Sequence, residues 1–196
     1  MTARLLLRGA ILALALGIGA WGLLRPSGRL SIGTPTAERL APPLVLPDDR
    51  GDIFDLASQR GRAVLVTFGY TRCPDVCPMT LAFLQHAMTE LGPNEARVRE
   101  VFVTLDPGHD TPAVLKQYLA EFPPAPIGLT GTPDATAAAA RDWGVVWRRT
   151  KSGFVDHSVV VVLVGPRGRQ RLRFGFSQLS NAAAVAHDLE AVLHAE

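Results

Sequence analysis

Residues 63–68 (AVLVTF) form an unbroken apolar run of strand length, and they lead directly into Gly69-Tyr70-Thr71-Arg72-Cys73-Pro74-Asp75-Val76-Cys77-Pro78. A short run that is apolar on both faces suits a central strand covered from both sides, which constrains the chain to a layered α/β arrangement. A strand passing into a helix start carries the chain from the core to an open rim. There, unpaired backbone N–H groups and the helix dipole favour thiolate over thiol. The two cysteines are the only ones in 196 residues. At positions i and i+4 they share a helix face with Cα atoms roughly 6 Å apart, close enough to close a disulfide or to grip one soft metal ion.

The remaining elements keep the α/β order. Residues 44–46 and 53–54 read as a hairpin around Pro47-Asp48-Asp49-Arg50-Gly51. A helix over 80–91 is stopped by Gly92-Pro93, and a strand follows over 98–105. Thr111-Pro112 opens a helix through Phe122, where Pro123-Pro124 ends it. A brief strand at 127–129 precedes an Ala-rich helix that starts at Thr132-Pro133 and ends at Trp143-Gly144. Residues 158–164 and 169–174 form a hairpin around Gly165-Pro166-Arg167-Gly168, and a helix over 178–194 closes the chain. Alternating strands and helices followed by an antiparallel hairpin predict an α/β fold with a mixed sheet.

Residues 9–24 carry no charge and lie between Arg8 and Arg25. As a helix they span ~24 Å, and residues 5–7, with Arg8 snorkelling, extend them toward the ~30 Å of a hydrocarbon core. Trp21 fits an interfacial anchor, while Ala20 offers a cleavage point, so residues 1–25 read as a membrane anchor or a signal. Residues 26–43 are rich in Pro, Gly, Ser and Thr and read as a tether, leaving 44–196 as a single domain. Either N-terminal reading exports the domain. An oxidising compartment would turn a cysteine pair into a bridge, but three intervening residues staple very little. The net charge is only +2 with dispersed arginines, which excludes a nucleic-acid partner.

A metal reading needs a third ligand, and the chain has five histidines. His86 falls mid-helix, out of phase with the cysteine face, while His187 and His194 sit on the last helix. His109 lies in the loop Asp106-Pro107-Gly108-His109-Asp110 and reads as a loop residue. His157 stands at the entrance of an apolar strand, between Asp156 and Ser158. Met79 and Met88 fit a helix rim or core. On these residues alone, the pair stays a dithiol open to thiol–disulfide exchange or to metal binding. A peroxidase would need a Thr or Ser three positions before its cysteine, where this chain has Tyr70 and Pro74.

The segments FGYTRCPDVCP, VTLDPGHDTP and VDHS, in this order around these strands, resemble the Sco/SenC family of copper-binding proteins. The resemblance covers the domain from about Pro42 to Glu196 together with the N-terminal anchor. It implies a thioredoxin-like fold, a mixed central sheet flanked by helices, in which Cys73, Cys77 and His157 bind copper as Cu(I) or Cu(II). It further implies a copper chaperone on a single-pass anchor in a bacterial inner membrane, with its domain in the periplasm. The acceptor would be the dinuclear copper centre of cytochrome c oxidase subunit II, and a periplasmic thiol reductant or copper donor would serve as a further partner. The same pair, as a redox-active disulfide, fits the alternative of a thiol–disulfide reductase that keeps the oxidase's copper-site cysteines reduced. Asp106 and Asp156 read either as partners that orient the imidazole or tune the charge of the site, or as capping and loop-polar residues. The chain departs from the family pattern at His109, at Gly165-Pro166 and in a short segment over 148–155. Arg167, Arg169, Arg171 and Arg173 read either as a charge-protected sheet edge or as a docking face for an acidic partner.

Overall fold

In chain order the strands are β1 (Thr34–Pro35), β2 (Val45–Pro47), β3 (Ile53–Asp55), β4 (Ala63–Gly69), β5 (Val98–Thr104), β6 (Ile127–Leu129), β7 (Trp147–Arg149), β8 (Val155–His157), β9 (Val160–Val164) and β10 (Gln170–Gly175). The helices are α1 (Val76–Leu91), α2 (Pro112–Leu119), α3 (Pro133–Asp142), α4 (Phe176–Leu179) and α5 (Ala182–His194). The structure, a computed structural model, describes residues 31–195. The anchor or signal expected over 1–25 lies outside the described residues. Among the described residues, no helix is long and apolar enough to cross a membrane.

The main sheet has the order β1-β10-β9-β4-β5-β6 and is mixed, as expected. The apolar run becomes β4 at its centre, paired parallel to β5 from Ala63↔Val98 to Gly69↔Thr104 and antiparallel to β9 from Val64↔Val164 to Thr67↔Val161. Every residue of β4 is buried because both faces are covered. Val64, Val66 and Phe68 pack with Leu46, Phe54 and Trp143 on one side. Ala63 and Leu65 pack on the other side with α1 and α5, through Leu84, Met88, Val185 and Leu189. The expected Thr-Pro starts hold. The Thr111 hydroxyl accepts from the Val114 N–H at 3.3 Å and the Thr132 hydroxyl from the Ala135 N–H at 3.2 Å.

Among the differences from the sequence reading, three have a clear local cause. The segment expected to be a tether runs along the sheet from Thr34, where β1 pairs with β10, and the Asp188 carboxylate accepts from the Ile32 and Gly33 N–H groups at 3.1 and 2.8 Å. This pairing is carried by backbone groups, so the side-chain pattern held no sign of it. The closing helix is broken into α4 and α5, because the Asn181 side chain caps a new start by accepting from the Ala184 N–H at 3.2 Å. Helix α2 ends at Leu119 rather than Phe122, its last turn tightening through the Phe122 N–H to the Leu119 carbonyl at 3.1 Å.

Candidate metal centre

Strand β4 delivers the chain to the cysteine loop through Gly69. A Cβ at that position would lie 2.8 Å from the Phe102 ring and 3.0 Å from the Cys77 Sγ, so the strand end passes the thiol with no room for a side chain. Gly69→Ala is expected to cost about 1–3 kcal/mol through this overpacking and to push the Cys77 thiol aside. Urea unfolding checks it; an unchanged midpoint would show that Phe102 yields without cost.

The loop itself is tied down by the fully buried Asp110. Its carboxylate accepts from the Thr71 N–H at 3.1 Å, from the Thr71 hydroxyl at 2.6 Å and from the Thr104 hydroxyl at 2.6 Å. The Cys73 N–H donates to the Tyr70 carbonyl at 3.2 Å, and helix α1 begins at Val76. Its N-terminus brings the two sulfurs together: the Cys77 N–H lies 3.4 Å from the Cys73 Sγ. Both cysteines are free, Cys73 half-buried and Cys77 buried.

His157 is the last residue of β8, on a small hairpin in which Trp147 pairs with His157 and Arg149 with Val155. Its Nε2 lies 3.6 Å from the Cys77 Sγ, eighty positions away in sequence. Its Nδ1 lies 3.2 Å from the Ser158 carbonyl, which places the proton on Nδ1 and leaves the Nε2 lone pair toward the sulfurs. The Tyr70 ring stands edge-on to the imidazole, with centroids 6.2 Å apart. Burial lowers the His157 pKa, partly offset by the Ser158 carbonyl and by Asp156, so the ring is neutral and able to act as a ligand.

Burial pushes the Cys77 thiol far above the ordinary thiol range, and the bond to the Cys73 side chain adds to the shift. The helix-start expectation of a thiolate therefore fails at Cys77. A helix dipole contributes about 0.3–1 kcal/mol, whereas desolvation of a buried group shifts its pKa by up to about 3–5 units. In the metal-free protein Cys77 is a thiol, and the neutral His157 nitrogen stands 3.6 Å from its sulfur. Two soft sulfurs and one imidazole nitrogen suit copper in either oxidation state, and the donor set fits a copper ion presented at the rim of α1.

Neither aspartate is hydrogen-bonded to the imidazole, while the charge-tuning alternative holds for Asp156, which raises the His157 pKa against burial. Asp106 is buried and accepts from Arg72 at 2.5 Å and from Arg149 at 2.7 Å. Burial opposes its ionisation, but the two guanidiniums outweigh burial and hold its pKa below the usual carboxylate value. Asp156 pairs with Arg148 at 3.1 Å. The Ser158 carbonyl orients His157 instead, a backbone partner that side-chain reasoning missed. Asp106, His109 and Asp110 place their ligand atoms within 4.8 Å of one another, yet both carboxylates are already taken by protein donors. His86 and His194 are exposed, while His187 stands 3.7 Å from Asp188, far in sequence from the cysteines. Met88 is buried and Met79 is exposed on the rim of α1. The arginines of β10 are engaged within the domain: Arg169 donates to the Glu38 carbonyl, Arg171 pairs with Glu38, and Arg173 donates to the Trp143 carbonyl. Strand β10 is also not an edge, because β1 covers it.

A family model described as SCO1/SenC matches residues 33–194. An SCO2-like protein of Rickettsia prowazekii is 32% identical over 182 residues, covering 84% of this chain and 86% of that protein. The structure of Bradyrhizobium japonicum ScoI with copper bound superposes with a TM-score of 0.71 at 32% identity, covering 79% of this chain and 99% of that one. The apo Sco1 protein from Thermus thermophilus gives a TM-score of 0.77 at 32% identity, covering 85% and 99%. The fold is the thioredoxin-like α/β arrangement of these proteins.

Proposed function

The chain belongs to the SCO1/SenC family, and from that premise we propose that it is a copper chaperone whose cargo is held by Cys73, Cys77 and His157. The observation that carries this reading is the 3.6 Å approach of the His157 Nε2 to the Cys77 Sγ, with Cys73 beside it. Thiol exchange alone does not require an imidazole at that place. Copper is bound in the Bradyrhizobium japonicum ScoI structure, and the donors here are of the types that Cu(I) and Cu(II) both accept. Cys73, half-buried at the rim, is the ligand an acceptor's thiolate reaches first. Transfer then proceeds by exchanging one sulfur ligand at a time, with the neutral His157 released without a proton to remove. The acceptor is the dinuclear copper centre of cytochrome c oxidase subunit II, and the domain works in the periplasm, tethered by residues 1–25.

A second reading is favoured by the same loop. A half-buried Cys73 in front of a buried Cys77 suits an attacking thiol and its resolving partner, as a thiol–disulfide reductase needs. Oxidation to the disulfide would remove both sulfur ligands, so a periplasmic reductant belongs to either reading. The test is the metal content of the reduced, anaerobically handled full chain after exposure to copper. One copper per chain is expected, with a thiolate-to-Cu(II) band on oxidation of the ion. A chain that takes up no copper yet reduces disulfides would establish the reductase reading instead.

A further inference from the structure

We propose that Arg149, through an Asp106 carboxylate that it shares with Arg72, latches the β7–β8 hairpin to the cysteine loop and so sets the approach of His157 to Cys77. This role rests on Cys73, Cys77 and His157 being the copper ligands. The two ligand-bearing segments belong to different parts of the fold. Cys73 and Cys77 follow the central strand of the main sheet, whereas His157 ends a separate two-stranded sheet. No backbone ladder joins the two sheets; the imidazole is placed by the short link from His157 to β9, by the buried Val155 and by side-chain ties from the hairpin to the cysteine loop.

Asp106 is placed to do this. It is buried at the end of β5, and its own N–H donates to the Thr104 hydroxyl at 2.9 Å. One carboxylate oxygen receives Arg72, the residue immediately before Cys73, and the other receives Arg149, the residue paired with Val155 on the histidine strand. A single anion thus holds the loop with one arm and the hairpin with the other. The neighbouring Arg148 provides an internal comparison. Its side chain is 81% exposed and its partner Asp156 lies on the same hairpin, so it ties the hairpin only to itself. If the hairpin lifts, the buried carboxylate keeps one guanidinium and loses the other, which disfavours the open form. A histidine strand held less firmly leaves the imidazole displaced from the sulfurs, and a displaced ligand lowers copper affinity.

The experiment uses the full-length reduced chain and three variants: Arg149→Met, Arg149→Lys and Arg148→Met. Two quantities are read: amide hydrogen exchange across residues 147–157 in the metal-free protein, and Cu(I) affinity by competition with a chromophoric chelator. Arg149 is nearly half exposed, so methionine fits without repacking the core. Arg149→Met is expected to speed exchange about tenfold within the hairpin alone and to lower Cu(I) affinity by about the same factor, in the range typical of lost supporting contacts around a metal. Arg149→Lys is expected to recover most of both, and Arg148→Met to change neither. Wild-type exchange and affinity in Arg149→Met would overturn the latch, as would faster exchange spread over the whole domain. Failure of the unmodified chain to bind copper would overturn the ligand assignment instead, and the exchange measurement on metal-free protein keeps the two failures apart.

Discussion

Replacing His157 with alanine is expected to lower Cu(II) affinity by more than about a hundredfold, because on the proposed ligand set it removes a direct ligand, which exceeds the roughly 10–100-fold cost of losing an outer partner. The nitrogen is what makes the site acceptable to Cu(II); the two sulfurs alone suit Cu(I), whose affinity falls less. The imidazole is only half-buried, and its contacts are the Cys77 Sγ, the Ser158 carbonyl and the edge of Tyr70, so the domain remains folded after truncation. The cysteine pair, held by Asp110 and the start of α1, is untouched and retains its exchange with small disulfides. Competition titration for Cu(II) and a thiol-exchange assay on the same preparation check both halves. A variant that binds Cu(II) like the parent chain, with the same thiolate-to-Cu(II) band, would remove His157 from the ligand set. In cells, oxidase assembly that survives the substitution would shift the role from chaperoning to reduction.

The fold was legible wherever side-chain pattern decides structure. The run at 63–68 could only be comfortable between two layers, and it became the fully buried β4; the Thr-Pro pairs at 111–112 and 132–133 marked helix starts because proline tolerates only that place in a helix. What the sequence hid are features made by backbone partners and by long-range ion pairs. Strand β1 is a Thr-Pro dipeptide whose only reason to be extended is the free edge of β10, and the β7–β8 hairpin has too few residues per strand to show alternation. The candidate site divides the same way. Cys73 and Cys77 were visible as a spacing, and His157 through its place in a motif, but which of its open roles Asp106 takes was not. Nothing local reveals that its partners are Arg72 and Arg149, more than thirty and forty positions away. The β10 arginines misled for a similar reason: period two along a strand reads as an exposed charged face until a second chain segment, carrying Glu38, lies against it.

Copper(I) affinity is expected to rise at least about tenfold per pH unit between about pH 6 and pH 8, because each copper that binds Cys77 displaces one proton. The sign follows from burial. Burial raises the Cys77 thiol far above the ordinary thiol range, so the proton stays on sulfur throughout that interval and copper must compete with it. Falling pH strengthens the competitor; rising pH weakens it. His157 adds nothing to this slope over most of the interval. Its pKa is lowered from 6.5, so above that value the ring is already neutral and contributes no pH dependence, and only in more acid solution does its own protonation steepen the loss. Chelator competition across this pH range measures the slope, and iodoacetamide labelling at neutral pH is expected to modify Cys77 far more slowly in the folded than in the urea-unfolded chain. A pH-independent affinity, or rapid labelling of the folded chain at Cys77, would mean that the dipole and N–H groups of α1 outweigh desolvation after all. The site would then be a standing thiolate, suited to exchange chemistry, rather than a proton-guarded pair that opens to copper.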